Sequence, residues 1–186
     1  MPKTYGDKIE ALSPVSLDDR TLTAIGRLVR ACAEIEDMID LFIASVAGIN
    51  EQKTTILLGK TAIKRRIEIA LELCKLRTDK ALEVHKNVFG ASFSDLLEIR
   101  NTVAHGKLLG VTEDGKLAFL TAYQGPTTEN SAIRIVKSYL PETIEQWAIV
   151  AERDLPMLAK QFQIEELLEE RLQRPLLPHS KAQRGG

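Results

Sequence analysis

Aromatic side chains are scarce: five Phe, three Tyr and one Trp make up 5% of the 186 residues. Burial must therefore come mainly from Leu, Ile, Val and Ala, which suits helices packed on helices better than a large β-sandwich. Cysteine is limited to Cys32 and Cys74. Two thiols in a chain of this length are no disulfide framework. Both fall on apolar faces of helical patterns and read as reduced core thiols. Three histidines and two separated cysteines form no recognisable metal-ligand spacing, so neither a metal nor another cofactor is expected. An excess of one charge is missing too. A net charge of -1 excludes a chain that is basic throughout, so nucleic acid would have to be held by a local patch or an assembled dimer. No apolar run reaches the ~20 residues of a membrane span. Residues 1–12 carry Lys3, Asp7, Lys8 and Glu10 where a signal peptide would have an apolar core. No membrane partner and a cytoplasmic location are the expectations.

What is present, 44% apolar and 27% charged residues, suits one globular domain. Residues 1–15, interrupted by Pro2, Gly6 and Pro14, read as an N-terminal arm. Residues 174–186, with Pro175, Pro178 and the closing Gly185-Gly186, read as a flexible tail. Between them Ser16 precedes Leu17-Asp18-Asp19, a helix start with acids in its first turn. Ile25, Leu28, Val29, Cys32, Ile35, Ile39, Phe42, Ile43 and Val46 then recur at helical spacing until Gly48 and Asn50 stop the pattern. Residues 56–76 carry a second stripe (Ile63, Ile67, Ala70, Leu71, Cys74), which Gly59 should kink or split. Residues 80–89 continue helically, and 93–104 are helical again, with Gly106 as the stop. The character then changes. Residues 108–111, 117–123 and 132–139 read as short strands, with Glu113-Asp114-Gly115 as a hairpin signal. Pro141 and Glu142 open a further helix that Pro156 should kink or break, and 164–172 close the domain helically. The expected fold is mainly α: a helical bundle over 16–173 with a small antiparallel hairpin or three-strand insertion at about 107–139, before the C-terminal helix.

One segment concentrates chemistry. At about 100° per residue, Phe93, Leu96, Leu97, Val103 and Ala104 share one side of their helix, with Arg100 in its middle. A bare guanidinium there would carry a desolvation cost of several kcal/mol. Arg100 must therefore have a carboxylate, an anion or a water-filled cleft beside it. Ser94, Glu98, Asn101 and His105 form a second stripe along the edge. A fixed cation, a planar amide and a ring that titrates near neutral pH then face one space. Such a set suits holding a phosphate and moving a proton.

Arg100-Asn101-Thr102-Val103-Ala104-His105 resembles the Arg-polar-x3-His motif of HEPN (higher eukaryotes and prokaryotes nucleotide-binding) domains, in their ribonuclease branch. The strands that follow the motif helix also resemble those HEPN members that add a hairpin there. The resemblance implies a HEPN-like helical bundle that works as a homodimer, its two motif helices building one composite cleft on RNA. It implies cleavage without a metal, by attack of the ribose 2′-hydroxyl on the adjacent phosphate to leave a 2′,3′-cyclic phosphate. Carried over, His105 is the general acid or base, Arg100 stabilises charge on the phosphorane, and Asn101 orients His105 or the phosphate. A toxin or defence effector, with an antitoxin or regulatory partner, is the implied setting.

Other readings stay open beside this one. Arg100 has four acids of the first helix as alternative partners, Glu34, Glu36, Asp37 and Asp40. A non-catalytic HEPN-like module that binds nucleotide, or a helical protein-interaction module, would use the same scaffold. Lys60, Lys64, Arg65 and Lys107 are the candidates for guiding an RNA backbone. Alternatively the run at Lys60, Lys64, Arg65 and Arg66 is a solvated face paired with Glu68 and Glu72. His85 reads as a surface residue and Trp147 as core or interface.

Overall fold

A computed structural model describes residues 12–77, 90–123 and 133–173. The expected helix at 80–89, most of the arm and the tail 174–186 lie outside the described residues. Six helices and three strands are described. Helix α1 spans Asp19–Ala47, α2 Glu51–Leu58, α3 Ile63–Arg77 and α4 Ala91–His105. Strands β1 (Lys107–Val111), β2 (Leu117–Tyr123) and β3 (Ile133–Tyr139) follow. Helices α5 (Pro141–Phe162) and α6 (Glu165–Gln173) end the described chain. The fold is mainly helical with a three-strand antiparallel sheet before the last helices. No helix among the described residues is long and apolar enough to cross a membrane.

Local chemistry sets the boundaries. The cap of α1 is Asp18, not Ser16: its Oδ1 accepts from Thr21 N at 2.7 Å, and that bond holds its carboxyl below the usual carboxylate range. Gly48 closes α1 and Asn50 caps α2 by accepting from Lys53 N at 2.9 Å. Gly59 splits the second helical segment rather than kinking it. Pro141 opens α5 at its first turn, where no amide hydrogen is needed. Pro156 neither breaks α5 nor ends it. Pro156 is exposed, on the side of α5 where a Glu152 carbonyl left without its amide partner is least costly.

Helices α1 and α5 form the spine. Buried positions on α1 are Thr21, Ala24, Leu28, Ala31, Ile35 and Phe42, at the alternating spacing of a heptad seam. On α5 they are Ile144, Ala148, Ala151, Leu158 and Phe162. Arg20 bonds Glu145 and Arg27 bonds Glu152, both at a sequence offset of 125. Equal offsets at two rungs mean that the helices run parallel, as a coiled coil with charged pairs along its flank. Phe42 and Phe162 close the seam with stacked rings, 4.3 Å between centroids. The arginines of these flanking pairs keep much of their solvent, so the pairs are screened and contribute little. Burial of the apolar seam stabilises the spine more than these pairs do.

The other face of α1 receives α2, α3 and α4, and Cys32, Ile39 and Ile43, which share one side of the helix, are buried. Cys74, on α3, is buried as well, and Trp147 packs against the core. The sheet order is β1-β2-β3. A turn at Thr112–Lys116 joins β1 to β2 (Thr112 N to Lys116 O, 2.9 Å), and Gly115 supplies its φ of 79°. Leu117, Ala118 and Phe119 of β2 are buried. The arm is not free at its end: Ser13 exchanges two backbone hydrogen bonds of 3.0 Å with Val111 and adds a bridge to the outer side of β1.

The small residues of the seam set how closely α1 and α5 approach. Ala151→Leu should destabilise by about 1–3 kcal/mol through overpacking. Ala33→Leu, on the exposed side of α1, should change stability by less than about 0.5 kcal/mol. Urea unfolding midpoints at unchanged m would check both.

Candidate functional site

Helix α4 is packed on two sides. Phe93, Leu96, Ile99 and Thr102 are buried, while Ala104 is exposed. The core face is therefore turned from the expected stripe through Leu97 and Ala104. The sheet is the reason: it covers the side of α4 that carries Thr102, whose hydroxyl donates back to the Glu98 carbonyl at 2.9 Å. Gly106 ends α4 in an extended conformation (φ -75°, ψ 145°) rather than in a left-handed one. A Cβ at Gly106 would sit 2.4 Å from the Thr102 carbonyl and 3.1 Å from Phe119 Cβ. The glycine is needed for close approach of sheet to helix.

Between α4 and the sheet lies an open cleft of about 380 Å³. One wall is α4, with Glu98, Asn101, Thr102 and His105. The other is Thr121 of β2 with Ile135 and Lys137 of β3. Thr121 pairs with Ile135 across the ladder and Lys137 with Phe119. Lys137 Nζ lies 2.9 Å from Glu98 Oε1, and the Tyr139 hydroxyl donates weakly to the same oxygen at 3.5 Å. Glu98 thus ties sheet to helix across the cleft.

Arg100 points elsewhere. Its Nη2 lies 2.9 Å from Glu36 Oε1 of α1, and the two side chains are only 18% and 22% exposed. Of the partners left open by the sequence, the carboxylate of Glu36 is the one realised. Arg100 Nε and Glu36 Oε1 are both buried without an aligned hydrogen bond, so the contact is an ion pair more than a directed fork. The remaining arm, Nη1, donates to Asn101 Oδ1 at 2.8 Å. That bond orients the Asn101 amide and leaves its Nδ2 donors unengaged by Arg100. One turn further along α1, Asp40 accepts from Arg66 Nη1 at 2.8 Å while Arg66 Nε donates to the Thr61 carbonyl at 2.9 Å. Burial pushes the Asp40 carboxyl up, Arg66 opposes, and Asp37 and Glu36 add to the rise. Burial also pushes the Cys32 thiol up to about 11, against Arg100 and with Glu36.

The structure brings Asn101 and His105 together in one cleft. Arg100 is not part of its lining and reaches it only through Asn101. Lys60, Lys64 and Arg65 are exposed on the α2–α3 side and do not line it. Arg65 pairs with Glu68 at 2.9 Å, as a solvated face does, but Arg66 turns inward to Asp40 and Glu72 pairs with Lys75 instead. Lys107 is exposed at the start of β1 and is likewise outside the lining. Sequence reasoning missed Lys137. Its signal was present in the alternation of β3, where Lys137 occupies the inward phase shared by Ile135 and Tyr139. Among the described residues no group of three or more His, Cys, Asp or Glu is gathered for a metal ion. Comparisons with family models, curated proteins and solved structures find no match to this chain.

Removing the anion beside Arg100 leaves a largely buried cation. Glu36→Gln should therefore cost about 1–3 kcal/mol, less than the figure for a fully sealed pair because both side chains keep some solvent. Chemical denaturation would show it, and wild-type stability in the variant would mean the pair holds nothing.

The Cys32 shift gives a second expectation. An unfolded thiol ionises near 9.0 and the native one near 11, so the native state holds the extra proton between those values. Stability present below pH ~9 should fall as pH rises toward ~11. Cys32→Ala should flatten this slope relative to wild type, as read from unfolding midpoints across that range.

Proposed function

We propose that this chain is an endoribonuclease of the HEPN type, working without a metal at the cleft between α4 and the sheet. The observation that carries the reading is the pairing of Asn101 and His105, one turn apart, on the wall of an open cleft whose opposite wall carries Lys137. In the reaction the ribose 2′-oxygen loses its proton and attacks the adjacent phosphorus. The bond to the 5′-oxygen breaks, that oxygen is protonated as it leaves, and a 2′,3′-cyclic phosphate results. Among the described residues lining the cleft, His105 supplies the imidazole, which can both take up and give a proton. In the homodimer that the motif implies, one His105 removes the 2′ proton and its counterpart in the second copy protonates the leaving oxygen. Asn101 donates to the phosphate through Nδ2. Arg100 is a positioning residue that fixes the Asn101 amide from behind, a narrower role than direct stabilisation of the phosphorane. A toxin or defence effector in the cytoplasm, held in check by an antitoxin or regulatory partner, is the setting this reading implies.

The Arg100–Glu36 pair favours a second reading. Because Glu36 already neutralises Arg100, the same cleft would serve a non-catalytic nucleotide-binding or protein-interaction module without any reacting cation.

Incubation of the purified chain with labelled single-stranded and structured RNAs in EDTA separates the two. Cleavage ending in 2′,3′-cyclic phosphate is expected, with His105→Ala reducing it about 10²–10⁴-fold, the usual range for a general acid or base. Full activity in His105→Ala would remove the site assignment. No cleavage at any salt or pH would transfer the cleft to the non-catalytic reading.

A further inference from the structure

We infer that Lys137 is the residue that grips a backbone phosphate of single-stranded RNA in this cleft, and that Glu98 occupies its ammonium group until the phosphate arrives. The inference rests on the cleft being the RNA site proposed above.

Of the cations near the motif, Lys107 is exposed but outside the cleft lining, and Arg100, Arg66 and Lys137 differ in what it costs to recruit them. Arg100 is 18% exposed against Glu36, and Arg66 is 14% exposed against Asp40 with a second bond to the Thr61 carbonyl. Pulling either away would strand a largely buried carboxylate, which is costly. The Lys137–Glu98 pair is different: its side chains are 31% and 54% exposed. Such a pair is screened by solvent and contributes little, and Glu98 released from it keeps water and the Tyr139 hydroxyl. A phosphate can therefore displace Glu98 at little cost.

Placement agrees with cost. Lys137 stands on the sheet wall, across the cleft from the α4 face that carries Glu98, Asn101 and His105 at i, i+3 and i+7. A phosphate held by Lys137 is presented to the Asn101 donors and the His105 ring together. Ile135, two residues earlier on the same face of β3, offers apolar surface to a sugar or base. At about 380 Å³ the cleft is at the small end of ligand pockets, which run from about 300 to 1,000 Å³. It takes roughly one nucleotide of a flexible strand and is too small for a duplex.

The test is binding of a short 5′-labelled single-stranded RNA, followed by fluorescence anisotropy over a salt series, with His105→Ala as the parent so that nothing is cut. Lys137→Gln should weaken binding about tenfold at low salt. It should also reduce the slope of log Kd against log salt by about 0.7, the loss of one phosphate contact on a single strand. Lys137→Arg should keep the slope. Glu98→Gln should tighten binding a few-fold, because the internal competitor is gone. An unchanged slope in Lys137→Gln, weakened binding in Glu98→Gln, or no RNA binding by the parent at low salt would each overturn the inference. Cleavage of the same RNA by wild type is scored separately. A slope change without cleavage keeps Lys137 and removes the ribonuclease reading. Cleavage without a slope change removes Lys137 alone.

Discussion

Helix α1 is buried on two faces at once, and the remaining elements are arranged by that demand. One face is a heptad seam closed by α5, with Ala24 and Ala31 opposite a wall containing Ala148 and Ala151, so the backbones come close and the apolar rows interlock. The helices run parallel although they belong to opposite ends of the domain. The intervening chain must therefore travel back along α1 before α5 can begin. Helices α2 to α4 occupy the second face of α1 on the way, and the sheet then lies over α4 and delivers the chain to Pro141.

A helix with two buried faces has little room for charge, yet α1 carries Glu36 and Asp40 toward its second face. Each is tolerated because an arginine from another helix meets it, Arg100 from α4 and Arg66 from α3. Unpaired, either acid would be protonated or would destabilise the packing. The pairs probe alignment more than they add energy, since desolvation offsets much of their attraction. For the cleft this has a consequence. Arg100 is committed to holding α4 against α1, and what it gives the cleft is the orientation of the Asn101 amide. Lys137, on the sheet wall of the cleft, keeps more contact with solvent than Arg100 does.

Much of this architecture was legible as periodicity. The apolar rows of α1 and α5, the break at Gly59, the alternation of β2 and the turn ending at Gly115 are local patterns, and each follows from the backbone geometry of a few adjacent residues. Boundaries were less legible. Ser16 and Asp18 are both good caps, and the choice fell to whichever side chain reached a free amide, Asp18 to Thr21. The pairing of Ser13 with Val111 could not be read at all, because nothing in the arm names a strand edge nearly a hundred residues on. The wheel for α4 erred for a related reason. Ala104 looks apolar on any scale, but the sheet claimed the side that carries Thr102 and left Ala104 in solvent.

By itself the sequence determined that Glu98, Asn101 and His105 share one face of a helix, because 3.6 residues per turn places them there whatever surrounds them. It also required that Arg100 find a negative or wet partner, because a bare guanidinium in a core is too costly. Only the tertiary structure decided that the partner is Glu36 and not one of the other acids of α1, that the face of Asn101 and His105 opens on a cleft, and that Lys137 stands across it. The physical reason is that a helical wheel or a strand alternation defines which side chains go together. What stands opposite them is set by elements distant in the chain, brought there by the burial of surfaces that carry no chemistry of their own.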